Sequence, residues 1–429
     1  MKKTTLLKEV LKHQVYPAMG CTEPVSVSLC AAHAAAQAKG KIIKAVFAAD
    51  AGTFKNGLGV RIPNTAGERG NLLAAAAGLL IAKPSLGMEI LKACTPAVLK
   101  KAKEMVAKKT VQIKAVNKKG FYIECNLQTD KKELITCVIS GSHTAVTLLE
   151  KNGKALIKSA AKTKAAAAGF KNRLAGATLE DLIKEAQKAD KADLAYIKKG
   201  ALMNMSAARS GAALKKVGYY LQQLVASDML DNNIVNSTKI LAARAADARM
   251  DGLPIPVMSS GESGNQGIVA VLVPWHVGKQ MLVDEDTILR SIALSHLLNG
   301  YVKCFTGGLA PICGCAIAAG VGACAALVYQ QNGADIKGIT LAINNIISDI
   351  GGMLCDGAKS GCALKVASSV DSAMRAAFMG MRHYGITEVE GFVGKTAEQT
   401  IQNLSKISNV GMRRVDSCIV DIMQDKTNA

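Results

Sequence analysis

The residues best able to do chemistry fall in four clusters rich in glycine and polar side chains. The heaviest is Cys313-Gly314-Cys315, followed forty residues on by Cys355 and seven further by Cys362 in CDGAKSGC. Gly357 and Gly361 make 355–362 read as a loop, so its thiolates can converge on one site. Three or four thiolates with few histidines nearby favour an iron–sulfur cluster or structural zinc over a hard cation. Inert buried cysteines are the remaining reading, and the lack of CxxC pairs argues against a zinc ribbon.

Three further clusters surround this one in chemistry if not in sequence. In Gly20-Cys21-Thr22-Glu23-Pro24 a cysteine stands between glycine and a polar turn. There it reads as accessible, and if the Thr22–Glu23 amides open a helix, their dipole would lower its pKa. A small residue at a helix start is the plainer alternative. In Ser140-Gly141-Ser142-His143-Thr144, hydroxyls and free amides can bind a carboxylate, and the histidine can move a proton or simply stabilise a turn. Residues 259–267, SSGESGNQG, form a polar turn ahead of the apolar run IVAVLVPW. The order lacks the phosphate-loop pattern and leaves an anion or amino-acid contact as its reading.

The elements that must position these residues follow from periodicity. Residues 4–38 read as helical, with a break at 16–24 between an amphipathic start and an Ala-rich stretch, and 71–83 reads as a second Ala/Leu helix. From Thr110 the period changes to two. TVQIKAV, FYIECNLQT and ELITCVIS predict an antiparallel meander, the first two joined through 117–120. Beyond Lys162 nearly every segment has helical spacing. The fold class is therefore α+β: an N-terminal helical segment over 1–44, an α+β module over 45–160, and an all-α region over 161–429. Residues 305–329 carry no charge, yet their Gly, Pro, Cys and Ala give a weak transfer signal, so a close-packed interior helix is expected there and no membrane span.

Composition narrows the function classes. The 429 residues carry 53 Lys and Arg against 33 Asp and Glu, a net +20, but only 11 of the bases are Arg and aromatics are 4%. Residues 92–200 hold 23 Lys and Arg against 10 Asp and Glu, which confines most of the excess to one block. With few guanidiniums to read bases and few rings to stack them, a solvated Lys-rich face is the reading, without specific nucleic-acid binding. The first twenty residues lack the apolar core of a secretory signal, so the expected location is cytoplasmic, where the 12 Cys are not disulfides. Cys30, Cys94, Cys125, Cys137 and Cys324 fit core positions, and Cys304 and Cys418 have no assigned place.

Together GCTEP, KNGLGVRIP at 55–63, SHT at 142–144, SGNQGI at 263–268, GGLAPICGCAIAAGVGA and CDGAKSGCALK resemble the L-cysteine desulfidase family, which is related to the iron–sulfur L-serine dehydratase alpha chain. The resemblance spans nearly the whole chain, and its last two motifs are the specific ones. It implies a [4Fe–4S] cluster held by Cys315, Cys355 and Cys362 with one iron open, Cys313 being an alternative ligand or a neighbour, and the 161–429 region as the iron–sulfur catalytic domain. It implies β-elimination from L-cysteine to sulfide, ammonia and pyruvate without pyridoxal phosphate. Cys21 falls on the family's acid/base thiol and His143 on the dehydratases' base. Ser142, His143 and Thr144 would hold the substrate carboxylate, making 45–160 the carboxylate module, with Lys55, Asn56 and Asn265 as further substrate contacts. Where the dehydratases carry Ser-Ser-His, this chain has Gly141 before Ser142. The alternatives are an L-serine dehydratase on the same scaffold and a non-enzymatic, basic RNA-binding or zinc-stabilised protein. The expected partner is a small amino acid, in a chain compatible with a homo-oligomer.

Overall fold

The computed structural model describes residues 4–118, 120–158 and 169–428. After helix α1 (Leu6–Gln14), capped by the Thr5 hydroxyl, come strand β1 (Pro17–Met19) and helix α2 (Thr22–Ala35). Strand β2 (Ile42–Asp50) then runs directly into α3 (Ala51–Leu58), whose first turn is capped by Asp50. Helix α4 (Asn71–Ile81), a 3-10 segment (Pro84–Ala93) and α5 (Pro96–Ala107) lead to strands β3 (Val111–Val116), β4 (Tyr122–Thr129), β5 (Leu134–Ser140), β6 (Val146–Lys151) and β7 (Lys154–Lys158).

The sheet order is β3-β2-β4-β5-β6-β7. The period-two segments are strands as expected, but the first two are not neighbours. Strand β2 lies between them, parallel to β3 and antiparallel to β4. The apolar faces of both flanking strands are completed by Phe47 and Ala45, an arrangement that local spacing cannot reveal. Alternate residues Ile123, Cys125, Leu127, Ile135, Cys137 and Ile139 face a core shared with α2 and α4. Helix α2, apolar on almost every side, is correspondingly buried nearly all round.

The remaining helices are α6 (Leu179–Gln187), α7 (Lys191–Gly211), α8 (Val217–Ala226) and α9 (Ile234–Met250), then strand β8 (Pro256–Met258) and α10 (Gly264–Gln280). After them come α11 (Glu285–Thr306), α12 (Ile317–Asn332), α13 (Ile336–Ile350), α14 (Cys362–Gly380), α15 (Ala397–Lys406) and α16 (Val415–Asn428). They enclose a second core, to which α1 also contributes Leu7, Val10 and Leu11. The uncharged run 305–329 is not one helix: α11 stops at Thr306 and α12 starts at Ile317. Gly307, Gly308 and Pro311 break the ladder, and the intervening loop carries Cys313 and Cys315. Among the described residues no single helix is long and apolar enough to cross a membrane.

One small ribbon joins the two cores. Strand β1 pairs antiparallel with β8, Ala18 opposite Val257, and Tyr16 and Ser259 exchange bonds through backbone and hydroxyl. This sets the Cys21 turn beside the 259–267 turn.

Candidate functional site

Six stretches far apart in sequence line one cavity of about 70 Å³: Thr22 and Glu23; Asn56; His143; Ser263 and Gln266; Lys303 through the 307–315 loop to Cys315; and Cys355. A wider open groove of about 760 Å³, walled by Val217, Tyr220, Leu224 and Leu364, is mostly apolar. The reactive side chains gather at the smaller space.

The cysteine loops come together as the sequence predicts. Cys313 and Cys355 are tied through their backbones, Cys313 N–H donating to Met353 O at 2.8 Å and Cys355 N–H to Pro311 O at 2.7 Å. The Cys315 thiol is hydrogen-bonded to Cys313, which draws Cys313 down and Cys315 up. Charge on Cys362 and Cys355 is felt at Cys315. Residues 355–361 form an irregular loop, and Cys362 is the first residue of α14. Cys30, Cys94, Cys125, Cys137 and Cys324 are buried, whereas Cys304 is half-buried and Cys418 exposed.

Among the described residues no three His, Cys, Asp or Glu side chains close around a single metal ion. An iron–sulfur cluster makes a different demand, because its thiolates sit on separate irons. Two features of the chain meet that demand. The donors are cysteines from two loops, soft ligands suited to iron–sulfur binding. Four helices also begin here without a side-chain cap: α2 at Cys21, α10 at Ser263, α12 at Ala316 and α14 at Gly361. Most other described helices are capped by Thr, Asp or Asn, so the positive dipole ends of these four are available to an anionic group.

His143 is buried, with its ring 4.5 Å from that of Phe121. Its Nδ1 lies 3.1 Å from Glu262 Oε2, and among the described residues its Nε2 has no partner. Burial would raise the Glu262 carboxyl, but the hydrogen bond and charge of His143, with Lys171 and Lys303, hold it at about 2. Glu262 has a left-handed backbone, φ 67°, a conformation costing a non-glycine residue about 1 kcal/mol or more. Its N–H is fixed by Gln14 O at 3.1 Å.

Cys21 stands at the start of α2 as expected, but it is neither accessible nor acidified. Burial, then the Glu23 charge, push its thiol well above the ordinary range, and these outweigh Arg249 and the Glu23 backbone amide. The thiol donates to Glu23 Oε2 at 2.8 Å, and Asn56 Nδ2 donates to Oε1 at 2.9 Å. Burial would raise Glu23 too, but the His143 charge and the Cys21 and Asn56 bonds bring it to about 2. Cys21, Val60 and Met250 form a small apolar nest against which Cys362 packs.

Of the remaining sequence-predicted residues, Asn56 lines the cavity and its Oδ1 lacks a partner among the described residues. Asn265 is buried with Oδ1 unpartnered. Lys55 is buried but turned away: its ammonium donates to Cys355 O and Asp416, both at 2.6 Å, supporting the loop from behind. Ser142 is half-buried and Thr144 exposed, and neither lines the cavity. Of the SHT triplet only His143 reaches it.

Sequence reasoning missed Glu23 and Glu262 as individual groups, although both lie in the motifs quoted. It missed Lys303 altogether. This lysine is one turn from the end of α11, where its ammonium donates to Gly261 O at 2.8 Å and Gly308 O at 3.0 Å. Burial lowers its pKa, while Glu262, Glu23 and Cys315 oppose that.

A cysteine-lined cavity between an α+β module and a helical region is the class that fold and site define. A family model described as serine dehydratase alpha chain matches residues 85–421. The chain belongs to that family. Its relatives include a UPF0597 protein of Elusimicrobium minutum, 65% identical over 98% of this chain and 99% of that protein. A UPF0597 protein of Geobacter sulfurreducens is 49% identical over 98% and 99%, and one of Clostridium tetani 37% identical over the full length of both. No solved structure matches.

Proposed function

We propose that the chain is an iron–sulfur lyase that eliminates the β-substituent of a small α-amino acid, with L-cysteine as substrate and sulfide, ammonia and pyruvate as products. The observation that carries this reading is that Cys315 and Cys355 share one small cavity with the Lys303 ammonium, the Glu23 carboxylate and the His143 imidazole, whose Nε2 is unpartnered among the described residues. That set complements a zwitterion and places a base beside it. Cys315, Cys355 and Cys362 would hold a [4Fe–4S] cluster, which supplies a Lewis-acidic iron toward the leaving sulfur.

The chain's own residues do the rest. With Nδ1–H given to Glu262, the Nε2 lone pair of His143 is free to take the Cα proton. The Cα–H electrons form the Cα–Cβ double bond and the Cβ–S bond breaks with its electron pair on sulfur. Glu23, which lines the cavity and accepts the Cys21 thiol proton in a hydrogen bond, passes that proton to the departing sulfide, leaving Cys21 as the thiolate. Aminoacrylate then tautomerises and is hydrolysed to pyruvate and ammonia. Walls of Gly308, Leu309, Ile312 and Ile317 keep bulk water from the site until then.

Anaerobic reconstitution tests the reading. The full chain is expected to be brown with about four irons, Cys355→Ala colourless, and Cys21→Ala brown but inactive. A colourless wild type holding stoichiometric zinc would sink the proposal. The second reading, an L-serine dehydratase, has the family match to the serine dehydratase alpha chain in its favour. It prevails if L-serine yields pyruvate while L-cysteine yields no sulfide.

A further inference from the structure

Arg249, in the last turn of α9, is 3% exposed, yet among the described residues its guanidinium has neither a hydrogen-bond nor an ion-pair partner, and its Nε is fully enclosed. Other guanidiniums find carboxylates: Arg61 on Asp251, Arg290 on Asp286, Arg375 on Asp349. Arginine cannot shed its proton, and a buried cation without a counter-ion is among the most costly arrangements a protein can hold. Neighbouring acids do not relieve it, because Glu23 is engaged by Cys21, Thr22 and Asn56, and Glu262 by His143.

The guanidinium lies against the first residue of α10. A Cβ on Gly264 would stand 2.3 Å from Nε and 2.8 Å from Cζ, so only glycine leaves room for it. This is the helix whose N-cap, Ser263, makes no side-chain cap, and Ser263 and Gln266 on either side of the contact line the cavity. Asn265, between them, is 2% exposed with an unpartnered Oδ1. A fork of N–H donors, a turn of free amides and a nearby acceptor together describe a receptor for a carboxylate with an ammonium beside it. Lysines act on the cysteine loops, Lys55, Lys303, Lys359 and Lys365 among them, whereas Arg249 acts on Cys21 and Tyr16.

We infer that Arg249 and the first turn of α10 form the subsite for the α-carboxylate of the ligand, with Asn265 Oδ1 accepting from its ammonium. The identity of that ligand as an amino acid rests on the proposed function; the anion subsite itself does not.

The test compares the full reconstituted chain with Arg249→Gln and Arg249→Lys. Because the cation is unpaired without ligand, Arg249→Gln is expected to melt no lower than wild type. It should lose the rise in melting temperature that L-serine and L-cysteine give the wild type. Cysteamine, which lacks the carboxylate, should give no rise in either. KM should increase roughly 10- to 100-fold in Arg249→Gln, and less in Arg249→Lys, with kcat little changed and the brown colour kept. An Arg249→Gln chain that keeps the ligand shift and the wild-type KM overturns the subsite, as does one that loses its colour, which would make the cluster the counter-ion. If L-serine shifts the wild type through Arg249 but neither amino acid is turned over, the subsite stands and the lyase reading falls.

Discussion

In the proposed reaction Glu262 decides which ring nitrogen of His143 is left free to serve as the base, and that makes Glu262 the residue whose loss is most informative. Glu262→Gln keeps the shape but removes the charge that holds the tautomer. We expect kcat to fall roughly 100-fold or more with the cluster retained. Its ionisation also enters stability. The Glu262 value of about 2 lies below the ordinary 4.5, so its contribution is complete above about pH 4.5 and is lost as pH falls toward 2. Urea midpoints measured through this window should fall more steeply for wild type than for Glu262→Gln; equal slopes would contradict the pairing. Cys21 teaches the complementary lesson. Its place at a helix start was legible, but its ionisation was not, because burial and Glu23 are set by other segments. Lys303 and Arg249 were not legible at all, since in sequence each is one more base near the end of a helix.

Elements deliver these residues through close approaches that sequence marks only as small residues. Helix α10 reaches the cavity because Gly267 lets it rest on β8, where a Cβ would stand 1.9 Å from Met258 O. Gly267→Ala must push the helix off the ribbon, and we expect a loss of about 1–3 kcal/mol in urea unfolding together with reduced turnover. A variant as stable and active as wild type would show that the contact does not seat the helix. The helices, the loop nature of 355–362 and the period-two strands could be read from local pattern. The insertion of β2 between β3 and β4 could not, because both flanking strands look alike from within the sequence. Likewise the 305–329 run reads as one helix by composition, although its glycines and proline open the loop that carries Cys313 and Cys315.

At the scale of the molecule, the β1–β8 ribbon ties a sheet core to a helical core and the site forms along the join, drawing on both. Much of the +20 charge comes from the Lys-rich block, residues 92–200. A zwitterionic amino acid has no net charge near neutral pH, so long-range steering contributes little to its capture. Raising ionic strength tenfold should therefore change kcat/KM by less than about twofold; a large fall would give the basic face a part in capture. The central claim concerns the reaction itself. Under strict anaerobiosis, the reconstituted chain given L-cysteine should release sulfide and pyruvate in equal amounts, and lose that activity on exposure to air together with its colour. Absence of sulfide from a brown, four-iron protein would contradict the account.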